Sequence, residues 1–464
     1  MVIQIILLLV FFAVTVGVGI YFRGRARDVG GFVLGGRSVG PWLTAFAYGT
    51  SYFSAVVFIG YAGQFGWRFG ISAVWIGLAN AFIGSLLAWV VLGRRTRVMT
   101  RHLGSATMPE FFGARYGSKG LKVGASLITF IFLIPYTASL YNGLSRLFAM
   151  AFNIDFTLCI VIMSILTAVY VIAGGYFATA VNDFIQGIIM LGGIVAVVVA
   201  VMRVNGGFTA ALDSLARVSD PLVSDTPGIF ASFFGPDPIN LLGVVILTSL
   251  GTWGLPQMVQ KFYSIESEQA VNKGTVISSV FALVVAGGCY FLGSFGRQYA
   301  GRVDIATEGF DAIVPTMLEN LSPILIGVIV VLVLSASMST LSSLVMASSS
   351  TFTLDFLKGN VVKKMTDKQQ LLVIRVLIAI FILISAIIAV VQYKGNLSFI
   401  AQLMGISWGA LAGAFLAPFL YGLYWKRVTK PAVWVCFVFS VVFMLANMFF
   451  KQAFPAILQS SINA

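Results

Sequence analysis

The sequence predicts an all-α integral membrane protein of about twelve spans, on three observations. The chain is 59% hydrophobic and only 10% charged over 464 residues, more apolar than a soluble core requires. Its apolar residues fall into successive runs of about 18 or more, the length that crosses a bilayer as a helix. Its basic residues gather in short segments between alternate runs, the pattern that orients a membrane protein.

In chain order the expected spans are residues 3–22, 41–66, 70–92, 121–152, 156–172, 183–202, 239–257, 275–295, 321–348, 371–391, 399–424 and 431–450. The first run has no basic leader before it and no small-residue cleavage site after it, so it reads as a retained span. With the N-terminus outside, segments 23–40, 93–122, 174–182, 261–274, 349–370 and 426–430 face the cytoplasm. They hold 20 of the 29 Lys and Arg, against 7 on the opposite face, with Arg146 and Arg375 inside spans. Arg375, near the inner end of its span, reads as snorkelling to the interface. The net charge of +13 is thus a topology signal, and no nucleic-acid partner is expected. Segments 204–238 and 298–319 are polar and punctuated by Pro and Gly, as extracellular loops are. No separate soluble domain stands out, so residues 1–464 read as one membrane domain.

Several chemistries are disfavoured at once. Cys159, Cys289 and Cys436 are scattered within apolar runs, which suggests neither a disulfide framework nor a metal site. His102 is the single histidine and lies in a basic loop, which argues against an imidazole metal centre and a Ser-His-Asp hydrolase. No enzyme is expected.

The chemistry that remains is oxygen chemistry. Residues 335–343 read SASMSTLSS inside the ninth run, six hydroxyls where a membrane helix ordinarily carries Leu. At 3.6 residues per turn Ala336, Ser339 and Ser343 share a stripe flanked by Thr340 and Ser342, a face suited to a small hard cation. The same hydroxyls could instead bond back to their own helix or let helices pack closely. The second run is broken in composition, mixing Gly49, Gly60 and Gly63 with Thr50, Ser51, Ser54 and Gln64. The seventh carries Gly251, Gly254 and Pro256. Two broken spans five apart point to an inverted-repeat transporter whose substrate sits between the breaks. Asp183 opens the sixth span and is the most deeply placed acid, a functional candidate or a helix cap.

The segments GGRSVGPW near Gly35, TMPEFFGARYG near Thr107, AGGYFATAVNDFIQGIIM near Asp183 and ASMSTLSS at Ala336 resemble the sodium:solute symporter family over most of the chain. The resemblance implies a LeuT-like fold of two inverted five-helix units, residues 41–203 and 239–425. An extra N-terminal helix and loop (1–40) and a C-terminal helix (430–451) flank them, in a multi-pass cell-membrane protein of the bacterial inner membrane. The family's usual architecture has thirteen spans, so it also implies that a final helix is missing here. For the coupling ion, sodium, it implies the carbonyls of Thr50, Phe53 and Ala336 with the hydroxyls of Ser339 and Thr340. In members similar to sialic acid carriers it implies a second sodium at Asp183, Ser342 and Ser343. The small-molecule substrate is expected near the two breaks, with Ser54, Gln64, Tyr136, Thr252 and Trp253 as candidate lining residues, of which Tyr136 matches an aromatic that the resemblance implies in the substrate site. Proline or another carboxylate-bearing metabolite is the expected solute, although Tyr52, Thr248 and Thr252 depart from the proline carriers. The alternative expectation is a passive, sodium-independent channel or permease.

Overall fold

A computed structural model describes residues 2–152, 155–305, 309–395 and 400–449. Phe399, Phe450 and residues 306–308 of the expected loop 298–319 lie outside these, as does the Arg146 side chain. The principal helices are α1 Val2–Tyr21, α2 Pro41–Thr50, α3 Ala62–Phe69, α4 Val74–Ala79, α5 Arg94–His102, α6 Met108–Tyr116, α7 Lys119–Phe152 and α8 Phe156–Val204. They continue as α9 Pro238–Ser249, α10 Pro256–Ser264, α11 Glu268–Gly293, α12 Pro323–Thr351, α13 Asp367–Gly395, α14 Ile400–Tyr424 and α15 Lys430–Phe449.

Among the described residues eight helices are long and apolar enough to cross a membrane, or nine with α9 and α10 taken as one bent span. Two of the eight are continuous stretches of 47 residues (Val56–His102) and 49 residues (Phe156–Val204). At 1.5 Å per residue each runs about 70 Å, more than twice the ~30 Å hydrocarbon core. Each is interrupted by a glycine in the left-handed region, Gly70 at φ +61° and Gly175 at φ +60°, where a side chain would be strained. The sequence divides both stretches near the same places. The expected loop 174–182, however, is reduced to the kink at Gly175, and the helix resumes immediately. Asp183 therefore lies two turns inside a helix, past the positions a cap occupies.

The two compositional breaks are breaks in the structure. After Thr50 the chain turns through residues 51–55, takes one π-helical turn at Val56–Tyr61 and re-enters helix at Ala62. After Ser249 it passes a 3-10 turn at Gly251–Gly254 and an extended Leu255, which Pro256 enforces, before α10. The bend there is 46°. Around these breaks α12 forms the centre, packed on α8, α7, α13 and α1. In its most apolar window 72% of α12 is buried, against 17% for α1, which sets α12 in the interior and α1 at the lipid-facing edge. The segment 204–238 carries a short helix, Phe208–Ala216, and Arg375 lies over the Phe32 ring at 5.5 Å.

Lys261 departs from its expected place in a cytoplasmic loop. It lies on α10, buried to 3% exposure beneath the second break.

Two features make this packing testable. α3 and α11 meet backbone to backbone, since a Cβ on Gly66 would strike the main chain of Gly293 and one on Gly293 would strike Ala62. Gly66→Val should cost at least the ~1–3 kcal/mol of an overpacked contact, read as a lower thermal midpoint in detergent. Gly192→Ala, with open space around it, should leave that midpoint in place. Close to this contact Arg297 donates to Asp220 at 2.7 Å and to the Trp67 carbonyl, its guanidinium 4.0 Å over the Phe230 ring. The Arg297 hydrogen bond holds the Asp220 carboxyl below its ordinary range. A lowered folded-state value adds stability above the unfolded pKa of about 3.9 and loses it as pH falls. Asp220→Asn should therefore flatten the decline of the thermal midpoint below about pH 4.

Candidate sodium and substrate sites

The first break leaves the carbonyls of Thr50 and Phe53 without a backbone N–H partner among the described residues. Inside a bilayer such groups need another partner, and α12 supplies it. Ser339 Oγ lies 3.1 Å from Thr50 O, 2.9 Å from Ser335 O and 3.1 Å from Ala336 O. Thr340 Oγ1 lies 3.0 Å from Thr50 O, 3.3 Å from Phe53 O and 3.0 Å from Ala336 O. All five residues named for the first ion are thus gathered at one point, and the hydroxyl residues are fully buried. Each hydroxyl has one proton to give, so two protons are shared among six short oxygen contacts. Hard cations bind oxygens at about 2.3–2.6 Å, which sets ligands at right angles about 3.3–3.7 Å apart. The cluster is close to that spacing and contracts slightly around its own protons. Its donor set, neutral carbonyls and hydroxyls at an unwound helix, suits sodium.

The residues named for a second ion are only partly assembled. Ser342 Oγ donates to the Ser339 carbonyl of its own helix at 2.8 Å. Ser343 Oγ is 2.7 Å from Ser51 Oγ at the first break and accepts a 3.0 Å hydrogen bond from Lys261 Nζ. Asp183, 1% exposed, has Oδ2 at 3.9 Å from that ammonium. Lys261 was not legible as a site residue, because a lysine just beyond an apolar run reads as loop.

The residues named for substrate do not form one lining. Thr252 reaches a narrow cavity, about 10 Å³, between the breaks, beside Tyr52, Phe53, Asn80 and Ser85. Ser54 accepts from the Val56 N–H at 3.2 Å, and Tyr136 stands edge-on to Trp408 at 6.0 Å, with Tyr52 5.4 Å from the same indole. Trp253 donates to the Ile83 carbonyl at 3.0 Å, which pins the second break to the helix after Asn80. Gln64 is buried but is not part of the cavity lining. The hydroxyls of Tyr52, Tyr136 and Tyr290, both amide atoms of Asn80 and the Trp408 indole N–H are buried without a hydrogen bond of good geometry among the described residues; Tyr136 approaches Ser54 and Trp408, and Tyr290 approaches Asn80 and Tyr52. Such loosely paired polar groups have hydrogen-bonding capacity to spare for a polar guest or water. Asn80, Tyr290 and Trp408 were not singled out from sequence. They sit in three different spans with no motif around them, and the fold alone brings them together.

Two broken helices around a buried oxygen cage and a small polar cavity define a secondary transporter of the LeuT-like fold. The chain belongs to the sodium:solute symporter family, whose model matches residues 32–438. It is 29% identical over 436 residues to the sodium/proline symporter of Staphylococcus aureus strain NCTC 8325, covering 92% of this chain and 82% of that one, and equally to that of strain COL. In fold it is similar to a Na+-coupled sialic acid symporter in a substrate-bound outward-open state. The TM-score is 0.79 at 19% identity, covering 99% of this chain and 94% of that one. It is more distantly similar to a manganese transporter of Eremococcus coleocola, with a TM-score of 0.53 at 12% identity and coverages of 91% and 90%. Membership makes it a multi-pass cell-membrane carrier that moves a small solute with sodium, and not an enzyme.

Proposed function

We propose that sodium binds at Thr50, Phe53, Ala336, Ser339 and Thr340, and that a small carboxylate-bearing solute binds between the two breaks. The observation that carries this is the convergence of the Ser339 and Thr340 hydroxyls on the carbonyls freed at the first break. An ion there ties α12 to the junction of α2 and α3, so it stabilises one arrangement of the two helices. A solute that prefers that arrangement binds more tightly with sodium present, and sodium binds more tightly with the solute, by the same factor. Each sodium moved inward contributes about 2.3 kcal/mol per 100 mV of membrane potential.

Three features support a carboxylate. α10 begins at Pro256 beside the cavity, and a helix N-terminus at the midplane favours an anionic group. The loosely paired hydroxyls, amide and indole N–H around Tyr52, Asn80 and Trp408 offer donors. The relatives named above are sodium/proline symporters, which makes proline the first candidate. The cavity as it stands, about 10 Å³, holds about one water, so the two breaks must part for a solute to enter. Residues 41–203 and 239–425 act as the two five-helix units, each opening with its broken helix.

The test is uptake into proteoliposomes of labelled proline, pantothenate, short monocarboxylates, sialic acid and glucose, with and without an inward sodium gradient. Uptake of one solute that collapses when choline replaces sodium supports the reading; uptake indifferent to that exchange establishes a passive permease instead. Ser339→Ala and Thr340→Ala should each raise the sodium concentration for half-maximal uptake about tenfold or more, the worth of one charge-assisted oxygen contact. Thr340→Ser should stay near the parent, and unchanged sodium dependence in both alanine variants would remove the site. Asn80→Ala and Tyr136→Phe should raise the solute KM several-fold at saturating sodium while shifting sodium dependence far less.

A further inference from the structure

Asp183 and Ser343, with Ser51 behind them, have the composition of a second cation position: one carboxylate and hydroxyls, all buried. A buried carboxylate needs a counter-cation. In this chain the cation within reach is covalent. Lys261 rises from α10 with its ammonium 3.0 Å from Ser343 Oγ, 3.9 Å from Asp183 Oδ2 and 5.1 Å over the face of the Tyr176 ring. The aromatic face and the hydroxyl complete its shell.

We infer that Lys261 occupies the second ion position as a tethered cation, so that each cycle takes one sodium with the solute. The inference deepens the sodium reading and rests on it. A free sodium entering beside Asp183 would lie about 4 Å from the ammonium, and two like charges so close in a dry site repel strongly. Lys261 also links the moving parts. Its hydroxyl partner Ser343 is one turn from Ser339 and contacts Ser51, the residue after Thr50. The inner half of the second broken helix is thereby held to both elements of the sodium cage through a lysine side chain, where a diffusible ion would come and go. The loose 3.9 Å pair, with neither Asp183 oxygen hydrogen-bonded, leaves room for the two groups to close as α10 moves.

The experiment is equilibrium binding of radioactive sodium to the purified full chain, counted per protein, with no solute needed. The parent should bind one ion per chain, and Thr340→Ala should weaken that ion. Lys261→Ala should bind two, and Lys261→Ala with Asp183→Asn should return to one. Two ions in the parent would overturn the inference without any variant, and so would a folded Lys261→Ala that still binds one. No binding in the parent would instead overturn the sodium reading on which the inference stands.

Discussion

Everything at the centre of this molecule follows from the rule that backbone polar groups have no water to turn to inside a bilayer. A helix that stops at Thr50 frees carbonyls, and the fold is possible only because α12 arrives with hydroxyls in register to meet them. The contact is structural before it is functional. It is also unstable in an informative sense, because it offers more lone pairs than protons. An oxygen cage of that kind is held together adequately by hydroxyl protons and better by a small cation. The same feature that lets the break exist in the membrane is the one on which the proposed sodium site rests.

That constraint explains why α12 is so unlike an ordinary membrane helix. Its hydroxyls are not spread around the helix but turned to separate tasks. Ser339 and Thr340 face the first break, Ser343 faces Ser51 and Lys261, and Ser342 and Ser350 satisfy carbonyls of their own helix. Ser339 and Thr340 make both kinds of contact at once, to the carbonyls of the first break and to Ser335 and Ala336 of their own helix.

Much of the architecture was legible in the sequence because membrane physics writes it locally. Span length, the basic loops and the Gly and Pro breaks each depend on a short window of residues, and the family model and the fold comparisons agree with the class they indicate. The five oxygen residues of the cage were legible through resemblance and are adjacent in space. What was not legible depends on three dimensions. Gly175 kinks a helix that composition could only read as a loop. Asn80, Tyr290 and Trp408 meet only when three spans pack. Lys261 was misread for a definite reason: hydropathy assigns a lysine at the end of an apolar run to the interface, and only the 46° bend at the second break carries α10 back into the interior.

The lysine also shows how charge can be conserved while an ion is not. A diffusible sodium and a tethered ammonium both neutralise Asp183, but they differ in what they do during a cycle. The diffusible ion draws on the gradient each time it crosses and must be released on the far side. The ammonium draws nothing and is never released, so it adds a fixed link between α10 and α12 where the ion would add driving force. With one ion in place of two, the solute accumulation a given membrane potential can support falls, and so does the sodium entering per solute. A carrier built this way suits a solute that is present outside at concentrations for which one sodium suffices.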